Sequence, residues 1–221
     1  MRVLVIAAHM DDETIGMGGT IARHVDRGDA VHVCIVCKRA YDHEFRSELV
    51  EAERASALRA VSVLGCDAPI FLDLRDELLD ERLLDVIVPV ECCVAQVRPD
   101  VVYTNHRGDS NQDHRAVFHA SLIACRSIAS PKVKRFLTYE VASSTDQAPP
   151  FPEYAFQPNF YVDISAFLDR KIAALQAYSR ELRDFPHPRS SKGVEVLAMK
   201  RGMEVGFAAA EAFMVVRDEW A

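Results

Sequence analysis

The residues with the clearest capacity for chemistry follow the first apolar run of the chain. The segment AHMDDE places His9, Asp11 and Asp12 within four residues. His9 and Asp12 are three residues apart, so a helix-like turn points both side chains to one side and directs Asp11 elsewhere. Imidazole nitrogens and carboxylate oxygens are both zinc ligands. The segment therefore predicts part of a metal site, and an acidic turn that only contacts solvent is the alternative.

A second polar segment, NHRGDSNQDHR, offers the ligand that the first segment lacks. It contains His106 and His114, and either could complete a His-Asp-His set. Three protein ligands leave a fourth position for water, which is the arrangement of catalytic zinc sites. Zinc lowers the pKa of its water to about 7, and the spare carboxylate of Asp11 could take up the proton and return it to a leaving amine.

The elements that must position these segments predict an α/β fold. Near-continuous apolar runs, typical of parallel strands covered on both faces, occur at 2–8, 30–36, 69–74, 100–105 and 135–141. Helical periodicity fills the intervals between them. We therefore expect a Rossmann-like, open, mostly parallel sheet with helices on both faces and right-handed crossovers. Ligands of such sheets bind beyond the carboxyl ends of the strands, where both polar segments fall.

The alternation of strands and helices breaks after residue 141, at the proline-rich segment SSTDQAPPFPEY. Beyond it we predict a short strand near 159–163, a helix over 164–182, a helix from about 192 and a last strand over 210–217. The chain length suits one domain. We expect a single domain over 1–221, with a core over 1–141 and a substrate-side α/β extension over 142–221.

Composition narrows the class of partner and the compartment. The net charge of -7 argues against nucleic acid or an anionic membrane as a partner. The first apolar run is too short to span a bilayer and lacks the pattern of a signal peptide, so we expect a cytoplasmic enzyme. Cys34 and Cys37 form a C-x-x-C inside a strand-like run, and we expect all six cysteines to be reduced and mostly buried.

Two other site chemistries fit the sequence less well. GMGGT at 16–20 follows a strand, as in dinucleotide-binding proteins, but the G-x-G-x-x-G spacing is absent and the neighbouring acids would repel a pyrophosphate. A Mg²⁺ phosphatase with Asp11 as nucleophile is disfavoured because Mg²⁺ prefers oxygen ligands to two histidines. A third possibility, a non-catalytic protein of the same fold that only binds a sugar or a nucleotide, also fits the sequence.

The sequence also resembles a known family. VLVIAAHMDDETIGMGGTIARH looks like the opening motif of the LmbE-like, or PIG-L, zinc-dependent N-deacetylases, and VVYTNHRGDSNQDHRAVFHA looks like their second motif. YEVASST, the helix pattern over 163–182, HPRS and AAEAF resemble the later motifs of that family, in the same order. The likeness extends over nearly the whole chain.

This resemblance implies a Zn²⁺ ion held by His9, Asp12 and His114, and so selects His114 over His106. Fe²⁺ or Co²⁺ could occupy the same ligands. Asp11 matches the general base of the family, and Asp113 would be a residue that orients a ligand. The implied reaction is attack of water on an acetamide carbonyl, with release of acetate and a free amine.

The sequence departs from the family pattern at Met10, Asn105 and Asn111. Met10 replaces a proline, and Asn105 and Asn111 stand where other members have histidines. An asparagine amide donates a hydrogen bond but transfers no proton at neutral pH. We therefore predict that Asp11 serves as both base and acid, with Asn111 at most a donor to the oxyanion.

The resemblance further implies a small N-acetylated amino sugar, or a conjugate of one, as the substrate. Arg189, Arg46 and Arg115 are the candidate substrate contacts, because a guanidinium group presents a planar fork of donors to phosphate or hydroxyl groups. Arg189 is preferred, since it lies in the irregular segment FPHPRSS. Assembly into a homo-oligomer stays open.

Overall fold

A computed structural model describes residues 1–40 and 43–220. Seven strands form one open sheet in the order β3-β2-β1-β4-β5-β7-β6. The strands are β1 (Arg2–Ala7), β2 (Ala30–Lys38), β3 (Ile70–Arg75), β4 (Val101–Asn105), β5 (Arg135–Tyr139), β6 (Phe160–Asp163) and β7 (Ala210–Asp218). The helices are α1 (Asp12–Asp26), α2 (Ser47–Leu64), α3 (Leu83–Val97), α4 (Gln112–Ala124), α5 (Leu168–Leu175) and α6 (Ser191–Met203).

Strands β1 to β5 are parallel, and β7 runs antiparallel to both β5 and β6. The expectation of an open, mostly parallel sheet is therefore confirmed. Val3 of β1 is in register with Val31 of β2 on one side and Val101 of β4 on the other. The carboxyl ends of β1 and β4 consequently lie side by side, which brings the two polar segments to the same edge of the sheet.

Both faces of β1 are buried, which explains its unbroken run of apolar residues. Val3 and Val5 pack into one cluster of buried side chains, which includes Ile21 of α1. Leu4 and Ile6 pack into a second cluster, on the face covered by α3 and α4. Helices on both faces of the sheet thus require apolar residues at successive positions of a central strand.

The glycines of GMGGT serve close packing of α1. The helix is broken at Met17, whose φ and ψ are -151° and 25°. A Cβ atom at Gly16 would lie 2.3 Å from the Tyr139 ring, and one at Gly19 would lie 2.8 Å from Ile164. The Glu211 carboxylate accepts the N–H groups of Gly19 and Thr20 at 3.0 and 2.6 Å. The backbone N–H groups that a dinucleotide phosphate would need therefore already donate to a carboxylate of the chain itself.

Lys171 completes this buried arrangement and allows a test of stability. Its ammonium group lies 2.6 Å from Glu211 and 2.8 Å from the Ile15 carbonyl. We expect Lys171→Met to lower the free energy of unfolding by about 3–5 kcal/mol, because it leaves a buried carboxylate without its cation. Lys192→Met, at an exposed pair with Glu195, should cost less than about 1 kcal/mol. Urea denaturation of both variants measures the difference, and equal losses would contradict the explanation.

Two sequence predictions need adjustment in the second half of the chain. The helix expected over 164–182 extends only over Leu168–Leu175. Asp163 accepts the backbone N–H of Ser165 at 2.9 Å, and such a local turn competes with helix formation. At the far end, the chain leaves the helix in turns around Tyr178. The last strand expected over 210–217 is present as β7, one residue longer, and it runs antiparallel to its neighbours.

The six cysteines lie in or close to strands and helices of the core. Cys34 and Cys37 lie in β2, and all six cysteines are free thiols, four of them buried. Within the described residues, no helix combines the length and apolar character needed to cross a membrane.

Candidate metal centre and catalytic site

The first polar segment forms a buried turn between β1 and α1. Asp12 begins α1, and its Oδ2 accepts the backbone N–H of His9 at 3.0 Å. The same oxygen accepts the Asn105 side-chain amide, at the end of β4, at 3.1 Å. Asn105 also accepts the N–H of Ala8. The side chain of Asn105 thus joins the ends of β1 and β4.

His114, in the first turn of α4, completes a triangle of metal-ligating atoms. Its Nε2 lies 3.2 Å from Nδ1 of His9 and 3.1 Å from Oδ2 of Asp12. Nδ1 of His9 lies 3.6 Å from the same oxygen. Ligands bound tetrahedrally to Zn²⁺ at about 2.0–2.1 Å are about 3.3 Å apart. The spacing and the chemistry of the three donors therefore fit a zinc ion.

The second oxygen of Asp12, Oδ1, is buried and lacks a hydrogen-bond partner among the described residues. A buried carboxylate oxygen without a partner is costly, because it has lost its contacts with water. A cation bound by the Asp12 carboxylate would reduce this cost by neutralising its buried charge.

A carboxylate holds the other nitrogen of each histidine. Nε2 of His9 lies 3.1 Å from Asp113, and Nδ1 of His114 lies 3.1 Å from Asp109. Such pairs fix the tautomer and the ring orientation of metal-binding histidines. Burial alone would lower the pKa of both imidazoles, but the neighbouring carboxylates raise the pKa of His9 to about 9 and that of His114 to about 10.

The two outer carboxylates are themselves anchored to neighbouring loops. Asp113 accepts the backbone N–H groups of Glu77 and Leu79, after β3. Asp109 accepts the hydroxyl groups of Ser144 and Thr145, after β5. Four strand ends thus contribute to the orientation of two imidazoles.

The outer carboxylate of His114 can be tested by zinc affinity. We expect Asp109→Asn to weaken zinc binding by about 10–100-fold, the usual effect of removing such a partner. Asp29→Asn is the matched control, because Asp29 also pairs with a histidine, His24, at 2.7 Å but away from the cluster. Competition with a zinc chelator gives both affinities. Equal zinc affinities for the Asp109 variant and the unsubstituted protein would show that Asp109 does not support metal binding.

Asp11 lies next to Asp12 in the same turn, and its carboxylate pairs with Arg189. Its side chain is fully buried, and Oδ2 lies 3.2 Å from Nη1 of Arg189. Oδ1 has no hydrogen-bond partner in the described part of the chain. Burial raises the pKa of Asp11 to about 7, although Arg189 acts in the opposite direction. A carboxyl group near this pKa exchanges protons readily at neutral pH.

Arg189 joins Asp11 to the C-terminal part of the chain. Its Nε donates to the Ser143 hydroxyl at 2.7 Å, and Nη1 lies 3.4 Å from Glu181. The residue is therefore next to the proposed base, as a substrate contact or an anchor would be.

The remaining predicted residues have other surroundings. Asn111 caps α4, with Oδ1 accepting the N–H of Asp113 at 2.8 Å, so only its amide nitrogen could serve an oxyanion. Arg115 donates to the carbonyls of Asp109 and Ser110, within its own loop. Arg46 is exposed, precedes α2 and pairs with Glu44. The site roles of these three residues stay predictions.

His106, the alternative ligand, lies apart from the triangle. Its Nε2 lies 3.2 Å from the Tyr154 carbonyl, and its ring packs edge-on against Phe156. It is not in either group of potential ligands found among the described residues.

A second group of potential ligands shares His9 and adds Cys37 and Asp113. Burial raises the pKa of the Cys37 thiol well above its usual range, and zinc binds the thiolate. Both oxygens of Asp113 already accept a backbone N–H group, whereas Oδ1 of Asp12 has no hydrogen-bond partner among the described residues. The triangle of His9, Asp12 and His114 is therefore the better cation site.

The sequence reasoning missed three residues that the structure brings to the site. Asp109 was part of the quoted motif but was given no role, although a carboxylate near a ligand histidine is a recurrent pattern. Glu13 and Tyr178 hydrogen-bond at 2.7 Å directly behind Asp11. Because 165 residues separate them in the chain, no local pattern could have paired them.

Comparison with known proteins gives consistent matches. The family described as PIG-L, GlcNAc-PI de-N-acetylase, matches residues 4–125, more than half of the chain. The uncharacterized deacetylase YaiS of Escherichia coli is 30% identical over 80% of this chain and 89% of its own. The 1D-myo-inositol 2-acetamido-2-deoxy-alpha-D-glucopyranoside deacetylase of Rhodococcus erythropolis is 29% identical over 88% of this chain and 71% of its own.

Two further matches are a relative with a different activity and a solved structure. The 4-oxalmesaconate hydratase of Pseudomonas putida is 28% identical over 78% of this chain and 71% of its own. The structure of N,N'-diacetylchitobiose deacetylase from Pyrococcus horikoshii has a TM-score of 0.80 over 97% of this chain and 83% of that chain, at 21% identity, which shows the same fold. The family expected from the motifs is confirmed: this chain belongs to the PIG-L, GlcNAc-PI de-N-acetylase family.

Proposed function

We propose that this protein is a metal-dependent hydrolase that removes the N-acetyl group from an amino sugar or an amino-sugar conjugate. The observation that carries the proposal is the convergence of His9, Asp12 and His114, with both imidazoles held from behind by carboxylates, next to the free carboxylate oxygen of Asp11. A site built only to bind a sugar needs neither a set of metal ligands nor a free buried carboxylate oxygen beside it.

The three side chains would hold a zinc ion, with Fe²⁺ or Co²⁺ as substitutes. When bound there, the ion would supply an acidified water at neutral pH and would polarise the acyl carbonyl. Asp12 contributes a negative charge, and the histidines bind as neutral imidazoles whose outer N–H groups donate to Asp113 and Asp109.

Asp11 would move the proton. Its Oδ1 accepts the proton of the attacking water, and the protonated carboxyl group then donates it to the departing amine. Arg189 holds the other oxygen, at 3.2 Å, so the carboxylate keeps one orientation during the transfer. Asn111 could donate its amide N–H to the developing oxyanion, and it has no proton to transfer at neutral pH.

The relatives support an N-acetylated amino sugar as the substrate class. Family description and deacetylase relatives name N-acetylated glucosamine attached to an inositol or to a second sugar. Arg189 is the preferred contact for such a substrate, because it is the predicted arginine that lies next to Asp11. Arg46 and Arg115 remain weaker candidates.

Hydration of a carbon-carbon double bond is the second candidate function. It is favoured by the hydratase relative, which matches this chain at 28% identity. An acidified water and a neighbouring carboxylate could serve an addition of water as well as hydrolysis of an amide.

One experiment separates these activities. The purified protein is incubated with one equivalent of zinc and a panel of N-acetylglucosamine glycosides, an inositol conjugate and diacetylchitobiose among them. We expect equimolar acetate and free amine from at least one compound, with loss of activity on chelation and recovery on adding zinc. Parallel incubation with unsaturated dicarboxylic acids tests hydration. Addition of water there, with no acetate from any amide, would favour the hydratase.

A further inference from the structure

The backbone of Asp11 has a conformation that side chains rarely adopt. Its φ and ψ are 126° and -26°, although it is not a glycine. Such conformations persist only when surrounding contacts hold them, and they occur preferentially at functional sites. The carbonyl of Asp11 accepts the N–H groups of Thr14 and Ile15. These bonds restrain the carbonyl side of Asp11, so the contact of its backbone N–H group must restrain the other side.

Glu13 makes that contact. Its Oε2 accepts the backbone N–H of Asp11 at 3.2 Å, while Oε1 accepts the hydroxyl groups of Thr14 and Tyr178 at 2.6 and 2.7 Å. All four residues are buried. The Glu13 carboxyl group is thus fixed by two hydroxyl donors and holds the strained residue with its other oxygen.

Asp11, Glu13 and Thr14 lie in or next to the turn between β1 and α1, whereas Tyr178 comes from a distant part of the chain. It lies just after α5, and its ring is packed in the core on the α1 side of the sheet. Its side chain is fully buried, so its hydroxyl position is set by packing and not by the turn itself.

We propose that Tyr178, acting through Glu13, is a positioning residue that holds Asp11 in its strained backbone conformation and so aims the base at the water. This inference rests on the proposed function. The hydroxyl restrains Glu13, Glu13 restrains the N–H of Asp11, and the aimed Oδ1 stays free to accept a proton. Tyr178 itself touches neither metal nor substrate.

Tyr178→Phe removes the hydroxyl and keeps the packed ring. Glu13 then loses one of its two hydroxyl donors, and Asp11 can relax. Displacement of a catalytic group by about 1 Å can cost about 100-fold in rate. We expect kcat to fall by about 10–100-fold, with KM and zinc affinity unchanged. Glu13→Gln, which keeps an oxygen acceptor but has one fewer, should show a smaller loss than Glu13→Ala.

Tyr103→Phe is the matched control. Tyr103 is equally buried, and its hydroxyl lies 3.1 Å from Nε2 of His24, near the end of α1. Both variants should lose similar thermal stability, but only Tyr178→Phe should lose kcat. If both variants lose activity in proportion to stability, the role of Tyr178 is structural and the inference is wrong.

A readout independent of activity separates this inference from the proposed function. Amide hydrogen exchange at Asp11 should be about 10-fold or more faster in Tyr178→Phe, while exchange at Ile6 in β1 stays unchanged. Unchanged exchange at Asp11 overturns the inference even if the protein is an active deacetylase. Faster exchange in a protein that releases no acetate supports the restraint and contradicts the proposed function.

Discussion

Asp11→Asn is expected to reduce kcat for acetate release by about 10²–10⁴-fold, the usual contribution of a positioned acid or base. The amide is nearly the same size as the carboxyl group, and its oxygen can still accept the Arg189 contact. It cannot take up the proton of the attacking water. Zinc affinity should change little, because Asp11 belongs to neither group of potential metal ligands found among the described residues.

Steady-state kinetics at one zinc equivalent per chain measure this effect. Asp29→Asn, the same substitution at a carboxylate that pairs with His24, should leave kcat unchanged. If Asp11→Asn retains more than about a tenth of the original kcat, another residue moves the proton. Asn111→His is a second test, since a histidine at this position could share the proton transfer and so alter the pH–rate profile.

His114→Asn is expected to weaken zinc binding by more than about 100-fold, beyond the range for loss of an outer partner, and to abolish acetate release at stoichiometric zinc. The substitution removes one of three protein ligands, and two ligands do not define a catalytic zinc site. Added zinc should restore little activity, because the remaining ligands no longer fix the geometry.

His106→Asn is the control for this variant, because the sequence alone offered both histidines as ligands. It should bind zinc with unchanged affinity, since His106 lies against Tyr154 and Phe156. Metal analysis after gel filtration distinguishes the two variants. Loss of zinc from the His106 variant, with retention by the His114 variant, would reverse the assignment.

The fold was largely predictable because four of the five parallel strands, β1, β2, β4 and β5, are mostly buried and so form nearly unbroken apolar runs. The same pattern placed both polar segments at the carboxyl edge of the sheet. The helix around Lys171 was predicted too long, because local turns at Asp163 and Tyr178 compete with the helical periodicity. A sequence pattern does not report that competition.

The site was predictable only as far as local spacing reaches. His9, Asp11 and Asp12 could be assigned together because they share one turn. The pairing of His114 with Asp109, and of Glu13 with Tyr178, depends on distances between segments that the fold alone sets. The role of the glycines at 16–20 became clear only from their contacts with Tyr139, Ile164 and Glu211, since a glycine-rich turn after a strand also occurs in dinucleotide-binding proteins.

The most direct test of the central claim is X-ray absorption at the zinc edge of the protein loaded with one equivalent of the metal. The account predicts only nitrogen and oxygen neighbours at about 2.0–2.2 Å, two of them imidazoles. A sulfur neighbour at about 2.3 Å would instead place the ion at His9, Cys37 and Asp113, and a spectrum with fewer than two imidazoles would contradict the triangle outright.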